Sequence, residues 1–268
     1  MELQPDEIHL PRSLKEYIDN YSYFRITGEN ACSVFMMPLG MVQIIFQSGT
    51  PILHNTSFSN GWRMRPHIFV GGPFDTAYRM KFRPGVNIFS ALFKPGKAKY
   101  FLPGKVSDYT NQLIVPEDIW GAEGRFLSEK IFLAKDTFQR VHILEQFLTE
   151  RFRHHEKSFI ESSITQIFSE NGSEKIGDLS KKSGLSISQF RKRFKAETGL
   201  SPKTFQKIVR VNSLLSHYSN HSGMSLTELG YRFNYFDQSH FIKDIKSIAG
   251  IPPSKVLSHF EGTDFHKY

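Results

Sequence analysis

The apolar positions change rhythm once along the chain. Between about Tyr21 and Phe93 they come in short runs, Val42 to Phe46, Ile68 to Val70 and Ile88 to Phe93, separated by Gly71-Gly72-Pro73 and Pro84-Gly85. Such runs, bounded by Gly and Pro, predict the strands of a compact sheet or barrel. Ser13 to Asn20 ahead of them predicts one short helix, and Ala98 to Leu102 and Gly121 to Leu133 two more. Asp136 to Arg153 predicts a clearer helix, because Val141, Leu144, Leu148 and Phe152 recur at three- and four-residue spacing.

From about Ser158 the pattern turns helical and tightly punctuated. Ile160, Ile164, Ile167 and Phe168 form one stripe, closed by Asn171-Gly172. Ser173 precedes a helix with Ile176 and Leu179, closed by Gly184; Ser186 precedes another with Ile187, Phe190 and Phe194, of which Phe190 and Phe194 face inward, closed near Gly199. Ser201-Pro202, a cap followed by proline at the first helical position, starts a long helix to about Tyr218 with Phe205, Ile208, Leu215 and Tyr218 as its stripe. Ser225-Leu226-Thr227-Glu228 has the form of a capping box and opens a helix with Leu229 and Phe233. Asp237 caps the next, with Phe241, Ile245 and Ile248, ended by Gly250 and Pro252-Pro253; a last short helix covers Ser254 to Phe260.

The expected architecture is therefore α+β. Residues 1–157 form a small β-barrel or cupin-like sheet with flanking helices. Residues 158–268 form an all-α domain of two helix-turn-helix units joined by a long helix. The division falls in the polar stretch Arg151 to Lys157. At 268 residues the chain is long enough for two such units without metal or disulfide staples, and its 25 Phe predict an aromatic interior. A single cysteine, Cys32, excludes an intramolecular disulfide and a thiolate zinc cage. With an acidic, polar start and no long apolar run, the expectation is a cytoplasmic protein with no membrane partner.

Charge sharpens this division. The chain carries 34 Lys plus Arg against 26 Asp plus Glu, net +8. Residues 1–159 hold 19 basic and 16 acidic side chains, net +3, and residues 160–268 hold 15 and 10, net +5. The smaller part has the larger surplus, which favours an anionic partner. In each helix pair the second helix follows within a few residues, the geometry that lays it in a major groove. Its outward positions carry base- and phosphate-binding chemistry: Ser188, Gln189, Arg191, Lys192 and Lys195 in the first unit, Gln238, Ser239, His240, Lys243 and Lys246 in the second. Arg and Lys suit guanine and phosphate, Gln suits adenine, and Ser serves either. Either helix alone is as readily a solvated face of a bundle; two in about 75 residues make that much less so.

The stretch Ile176 to Val256 resembles the AraC/XylS family of bacterial transcription regulators. The likeness rests on Ser183-Gly184-Leu185-Ser186, Phe190-Arg191-Lys192-Arg193-Phe194-Lys195, Thr198-Gly199-Leu200-Ser201-Pro202, Arg210, Phe236-Asp237-Gln238-Ser239-His240-Phe241 and Gly250-Ile251-Pro252-Pro253. It implies double-stranded DNA as partner, read on successive major-groove faces about one turn, roughly 34 Å, apart. By position it implies base contacts from Ser188, Arg191 and Lys192, with Gln189 nearby, and from Gln238, Ser239, His240 and Lys243; phosphate contacts fall to Lys195, Lys203, Arg210 and Lys246. Three positions depart from the family pattern: Asn234 for glycine, Gly230 for alanine and Ser180 for alanine. The amino-terminal part is similar, less specifically, to a poorly characterised regulator sensor domain, through Pro38-Leu39-Gly40-Met41-Val42-Gln43, Phe82-Arg83-Pro84-Gly85 and Leu113 to Trp120-Gly121. An unidentified small-molecule effector, a homodimer through the Asp136 to Arg153 helix, and RNA polymerase are its candidate partners.

Enzyme chemistry is little indicated. His54 and His67 are isolated, His154-His155 point to different faces, and there is no phosphate-cradling glycine loop or nucleophile elbow, so no catalytic residue, metal or cofactor is expected. Alternate spacing puts Arg63 and Arg65 on one strand face and Arg79, Lys81 and Arg83 on another, either a solvated face or an anion-facing one. Two alternatives stay open. One is an enzyme or effector-binding protein whose helices are only a packing module. The other is a DNA repair protein acting through Cys32.

Overall fold

The computed structural model describes residues 14–27, 30–55, 61–154, 158–219, 228–233, 235 and 237–259, and the backbone alone of residues 2–6, 220, 226 and 227. Ser225, Asn234, Phe236, His155 and Phe260, used above, lie outside the described residues.

Among the described residues, ten strands form two antiparallel sheets, and neither closes into a barrel. The larger has the order β1 (Glu2–Asp6), β2 (Ile18–Thr27), β9 (Val86–Phe93), β4 (Gln43–Gly49), β7 (Ile68–Gly71) and β10 (Leu113–Ile114). The smaller has the order β3 (Cys32–Met36), β8 (Tyr78–Phe82), β5 (Leu53–Asn55) and β6 (Arg63–Met64). The expected helix over Ser13 to Asn20 is instead a turn at Leu14–Tyr17 leading into β2. Long-range pairing overrides the local signal there, since Ile18 lies opposite Phe93 and β2 runs on beside β9.

Strand alternation sorts the larger sheet into two different faces. Tyr21, Ile44, Phe46, Val70, Phe89, Ala91 and Phe93 face α2 (Ala122–Leu133) and α3 (Thr137–Glu150), which follow the short α1 (Pro116–Trp120). Leu127, Ile131, Val141, Leu144 and Leu148 complete that core, so the stripe of α3 is spent on its own domain. Phe152 falls beyond the helix and stacks on Tyr100. The opposite face turns toward the smaller sheet, across Ile26, Ile52, Phe74, Tyr78, Met80, Phe82 and Val86.

Among the described residues, seven helices make the carboxy-terminal domain: α4 (Phe159–Ser169), α5 (Ile176–Lys182), α6 (Ile187–Thr198), α7 (Pro202–Asn220), α8 (Leu226–Arg232), α9 (Gln238–Ala249) and α10 (Pro253–Ser258). Phe190, Phe194, Phe205, Phe241 and Ile245 are fully buried at its centre. Each such side chain contributes about 1.5–3 kcal/mol by leaving water. This core includes Phe35, Met37 and Ala77 from the sheet domain, so the two domains share an apolar interior.

Polar contacts reinforce that joint. Lys97 pairs with Glu161 at 2.7 Å, and Lys99 bridges Glu161 and Glu197 at 3.0 and 2.7 Å. The Tyr100 hydroxyl donates to Glu161 at 2.7 Å and the Asn212 amide to the Pro38 carbonyl at 2.8 Å. Burial alone raises the Glu161 carboxyl, but hydrogen bonds from Lys97, Tyr100 and Lys99 outweigh it and hold the group below its usual range.

Candidate nucleic-acid interface

The first helix-turn-helix unit is closed by its own side chains. Gly184 turns the chain at φ 66°, the left-handed region glycine enters without steric cost. The Ser180 hydroxyl donates to the Leu185 carbonyl at 2.7 Å, and the Leu185 N–H returns to the Ser180 carbonyl. Serine in place of alanine thus ties the turn shut. A capping box starts α6: Ser186 Oγ accepts from the Gln189 N–H, and Gln189 Oε1 accepts from the Ser186 N–H. The Gln189 carbonyl oxygen is therefore committed to the helix start.

The second unit repeats the first. α6 and α9 each span 12 residues and begin 238 − 187 = 51 residues apart. Each is capped by a side-chain oxygen, from Ser186 and from Asp237, and each ends at a left-handed glycine, Gly199 and Gly250. The outward positions correspond: Ser188 with Ser239, Gln189 with His240, Lys192 with Lys243, and Lys195 with Lys246, all exposed. Arg191 corresponds to Ile242, also exposed. The buried positions correspond as well, Phe190 with Phe241 and Phe194 with Ile245.

Ile187 is 48 % exposed and Ile242 37 % exposed. Sequence reasoning named neither among the outward positions, because it drew those from polar side chains. Their place in the 51-residue repeat is the signal that would have found Ile242. An exposed aliphatic group beside polar readers has the chemistry to meet a thymine methyl. Lys203, at the start of α7, is exposed. Arg210 points elsewhere: it donates to the Gly172 carbonyl at 2.5 Å, lies 3.9 Å from Asp244 and stacks on Tyr235. Asp244, itself buried, also pairs with Lys207 at 2.9 Å and faces His240 at 3.6 Å. One carboxylate of α9 thus gathers Lys207 and Arg210 from α7 and faces His240 on its own helix.

The amino-terminal halves of both outward-facing helices are open, whereas their carboxy-terminal ends rest on the sheet domain. The Thr110 hydroxyl donates to the Gly199 carbonyl at 2.7 Å, and the Ala77 N–H donates to the Ile248 carbonyl at 2.7 Å. A Cβ at Gly199 would stand 2.3 Å from Pro73 Cγ, so that approach needs glycine.

Arg79, Lys81 and Arg83 are exposed together on the outer face of the smaller sheet. Register puts Arg63 opposite His54 and Met80 on the other face, where Arg63 is exposed at the sheet edge and Arg65, two residues on, is buried at 5 % exposure. Among the described residues no helix is long and apolar enough to cross a membrane.

Residues 179–259 match a family described as a helix-turn-helix domain, and residues 6–115 match one described only as a domain of unknown function. No curated protein matches the chain. Several solved structures are similar at low identity. ToxT from Vibrio cholerae matches at 10 % identity over 90 % of this chain and 98 % of that one, with a TM-score of 0.48. Unsaturated fatty acid bound ToxT from strain SCE256 matches at 10 % over 94 % and 99 %, TM-score 0.45. The AraC-like transcriptional activator CuxR matches at 9 % over 89 % and 80 %, TM-score 0.29.

Proposed function

We propose, from the premise that this chain is a DNA-binding transcription regulator with an AraC-type helix-turn-helix domain, that α6 and α9 read two successive major-groove segments of one duplex site. The observation that carries this reading is the 51-residue repeat of outward faces on two capped helices whose amino-terminal halves are open. In this reading Ser188, Arg191 and Lys192, with Gln189 at the edge, meet bases in one segment. Gln238, Ser239, His240 and Lys243, with Ile242, meet bases in the next. Lys195, Lys203 and Lys246 meet phosphates. Arg210, committed to Gly172 and Asp244, holds α7 to its neighbours instead.

The division between sensing and reading falls at residues 157 and 158, and the protein works in the cytoplasm without catalysis. The sheet domain modulates DNA binding through a small-molecule effector. Homodimerisation and contact with RNA polymerase are further parts of this proposal, tested by sedimentation with and without duplex and by polymerase recruitment on the selected site.

The test of DNA reading is selection from a random duplex pool, followed by titration of the winner at several salt concentrations. Two short boxes about 10 base pairs apart are expected. Weak binding that is equal on all duplexes and vanishes with salt overturns base reading and leaves only phosphate contact.

A further inference from the structure

The space between the two sheets is a cavity of about 470 Å3, within the usual range for small-molecule sites. Its lining includes alternate residues of the larger sheet that face away from the helices, opposite Val34, Met80 and Phe82 of the smaller sheet. Phe24 and Ile88 on this face are only half-buried although their strands lie within the sheet, because the cavity beside them is not filled by protein.

Two features of the lining are chemically specific. The first is Arg65. It is 5 % exposed, its guanidinium lies 5.1 Å from the Phe69 ring centre and 5.4 Å from that of Tyr78, and its Nε has no hydrogen-bond partner. Among the described residues no carboxylate pairs with it. Its side chain hydrogen-bonds Tyr78, but a buried guanidinium with no carboxylate beside it is costly unless an anion meets it. The second is a polar patch in the middle of the larger sheet. Register sets Phe69 beside Ile45, Ile45 beside Ser90, and Ser90 beside Ser22 in one row across β7, β4, β9 and β2. Asn20 and Gln43 flank this row on the same face. Neighbouring strands stand about 4.8 Å apart, so Ser90 and Ser22 lie roughly 10 and 14 Å from Phe69. Apolar Ile45 lies between.

The cavity is also wired to the reading helices. Gly72, Phe74 and Tyr78 wall it. In the same segment Pro73 packs on Gly199 at the end of α6, and the Ala77 N–H binds the Ile248 carbonyl near the end of α9. His259, just after α10, lines the cavity and stacks on Phe35.

We propose that this cavity binds a monoanionic amphiphile with a second polar end, its anion on Arg65 and a hydroxyl-type group on Ser22 and Ser90, and that segment 72–78 reports its presence to both reading helices. The signalling half of this rests on the proposed DNA reading; the binding half does not.

The probe is ω-hydroxydecanoate, whose extended length fits the span between the two anchors, compared by calorimetry on the full chain with decanoate and decanediol. ω-Hydroxydecanoate is expected to bind at least about tenfold more tightly than either, since each comparison deletes one anchor. Arg65→Met should lower its affinity by about tenfold or more, and Ser90→Val by about threefold to tenfold. If Arg65→Met does not fold, Ser90→Val and the three-ligand comparison decide alone. Absence of uptake, decanediol equal to ω-hydroxydecanoate, or decanoate equal to it overturns the proposed ligand class. For signalling, saturating ω-hydroxydecanoate should shift duplex affinity by about fivefold or more in the native chain, and Ala77→Pro should bind it but lose that shift. Uptake with unchanged duplex affinity overturns the relay. Uptake by a chain that binds no duplex sequence-selectively overturns the DNA reading and leaves the ligand site standing.

Discussion

The two reading helices match in length, cap, terminal glycine and buried aromatic or aliphatic positions, yet are supported differently. α6 follows a turn locked by Ser180 and Leu185, and its outward face carries Arg191 between Ser188 and Lys195. α9 follows a helix with Gly230 where α5 has Ser180, and its outward face carries Ile242 where α6 has Arg191. Its order comes from Asp244, which draws in Lys207, Arg210 and His240. Local hydrogen bonding thus secures the first unit and a shared buried charge the second. In the proposed reading, Arg191 suits the first to guanine and Ile242 the second to a thymine methyl.

The largest way to break this contrast is Asp244→Ala. It leaves Lys207 and Arg210 without their carboxylate and should cost about 3–5 kcal/mol in urea unfolding. A loss below about 1 kcal/mol would mean that α9 is held by its apolar face alone. Next come the reading faces. Arg191→Ala and Lys243→Ala should each lose about 1–3 kcal/mol on the selected duplex and relax preference at particular bases. Ile242→Arg should shift the second box toward guanine. Lys195→Ala should instead weaken all duplexes alike and reduce the salt slope by about 1.

A third test addresses the joint between the domains. The Glu161 carboxyl sits below its ordinary range in the folded chain, so its stabilising contribution is present above the unfolded carboxylate value and is lost as pH falls through the lowered folded one. Glu161→Gln should cost about 1–2 kcal/mol at neutral pH and flatten the acid limb of a plot of urea midpoint against pH. An unchanged acid limb would remove Glu161 from the joint. The smallest effect expected is a gain. A Cβ at Gly230 would meet only the Phe241 ring, at 4.0 Å, so Gly230→Ala should stabilise the chain by about 0.5–1 kcal/mol. A loss would show that α8 needs the open space.

Much of the reading half was legible because helix ends are written locally. Ser186, Pro202, Asp237, Gly199 and Gly250 start or stop helices where the sequence places them. The sheet half was legible as strands and two flanking helices, not as a topology. Whether its strands close into a barrel depends on partners far apart in the chain, and two open sheets resulted. The same dependence turned Ile18 to Asn20 from helix to strand and buried Arg65, because the face it shares with Arg63 is the Met80 side of the smaller sheet. The cavity was invisible for a related reason: Phe69, Ile45, Ser90 and Ser22 meet only through register. Polar residues at alternate positions of apolar runs, Gln43 and Ser90, were the faint local trace of it.

Phe35, Met37 and Ala77 belong to the core of the helical domain although they come from the sheet domain. This limits modularity. A fusion of the reading helices to a foreign sensor would open an oily socket where these three side chains sit, and would need replacement side chains of similar shape to stay soluble. Recombination between relatives should therefore succeed when a crossover carries these three positions along with the helices they fill, and fail when it cuts only at the covalent linker.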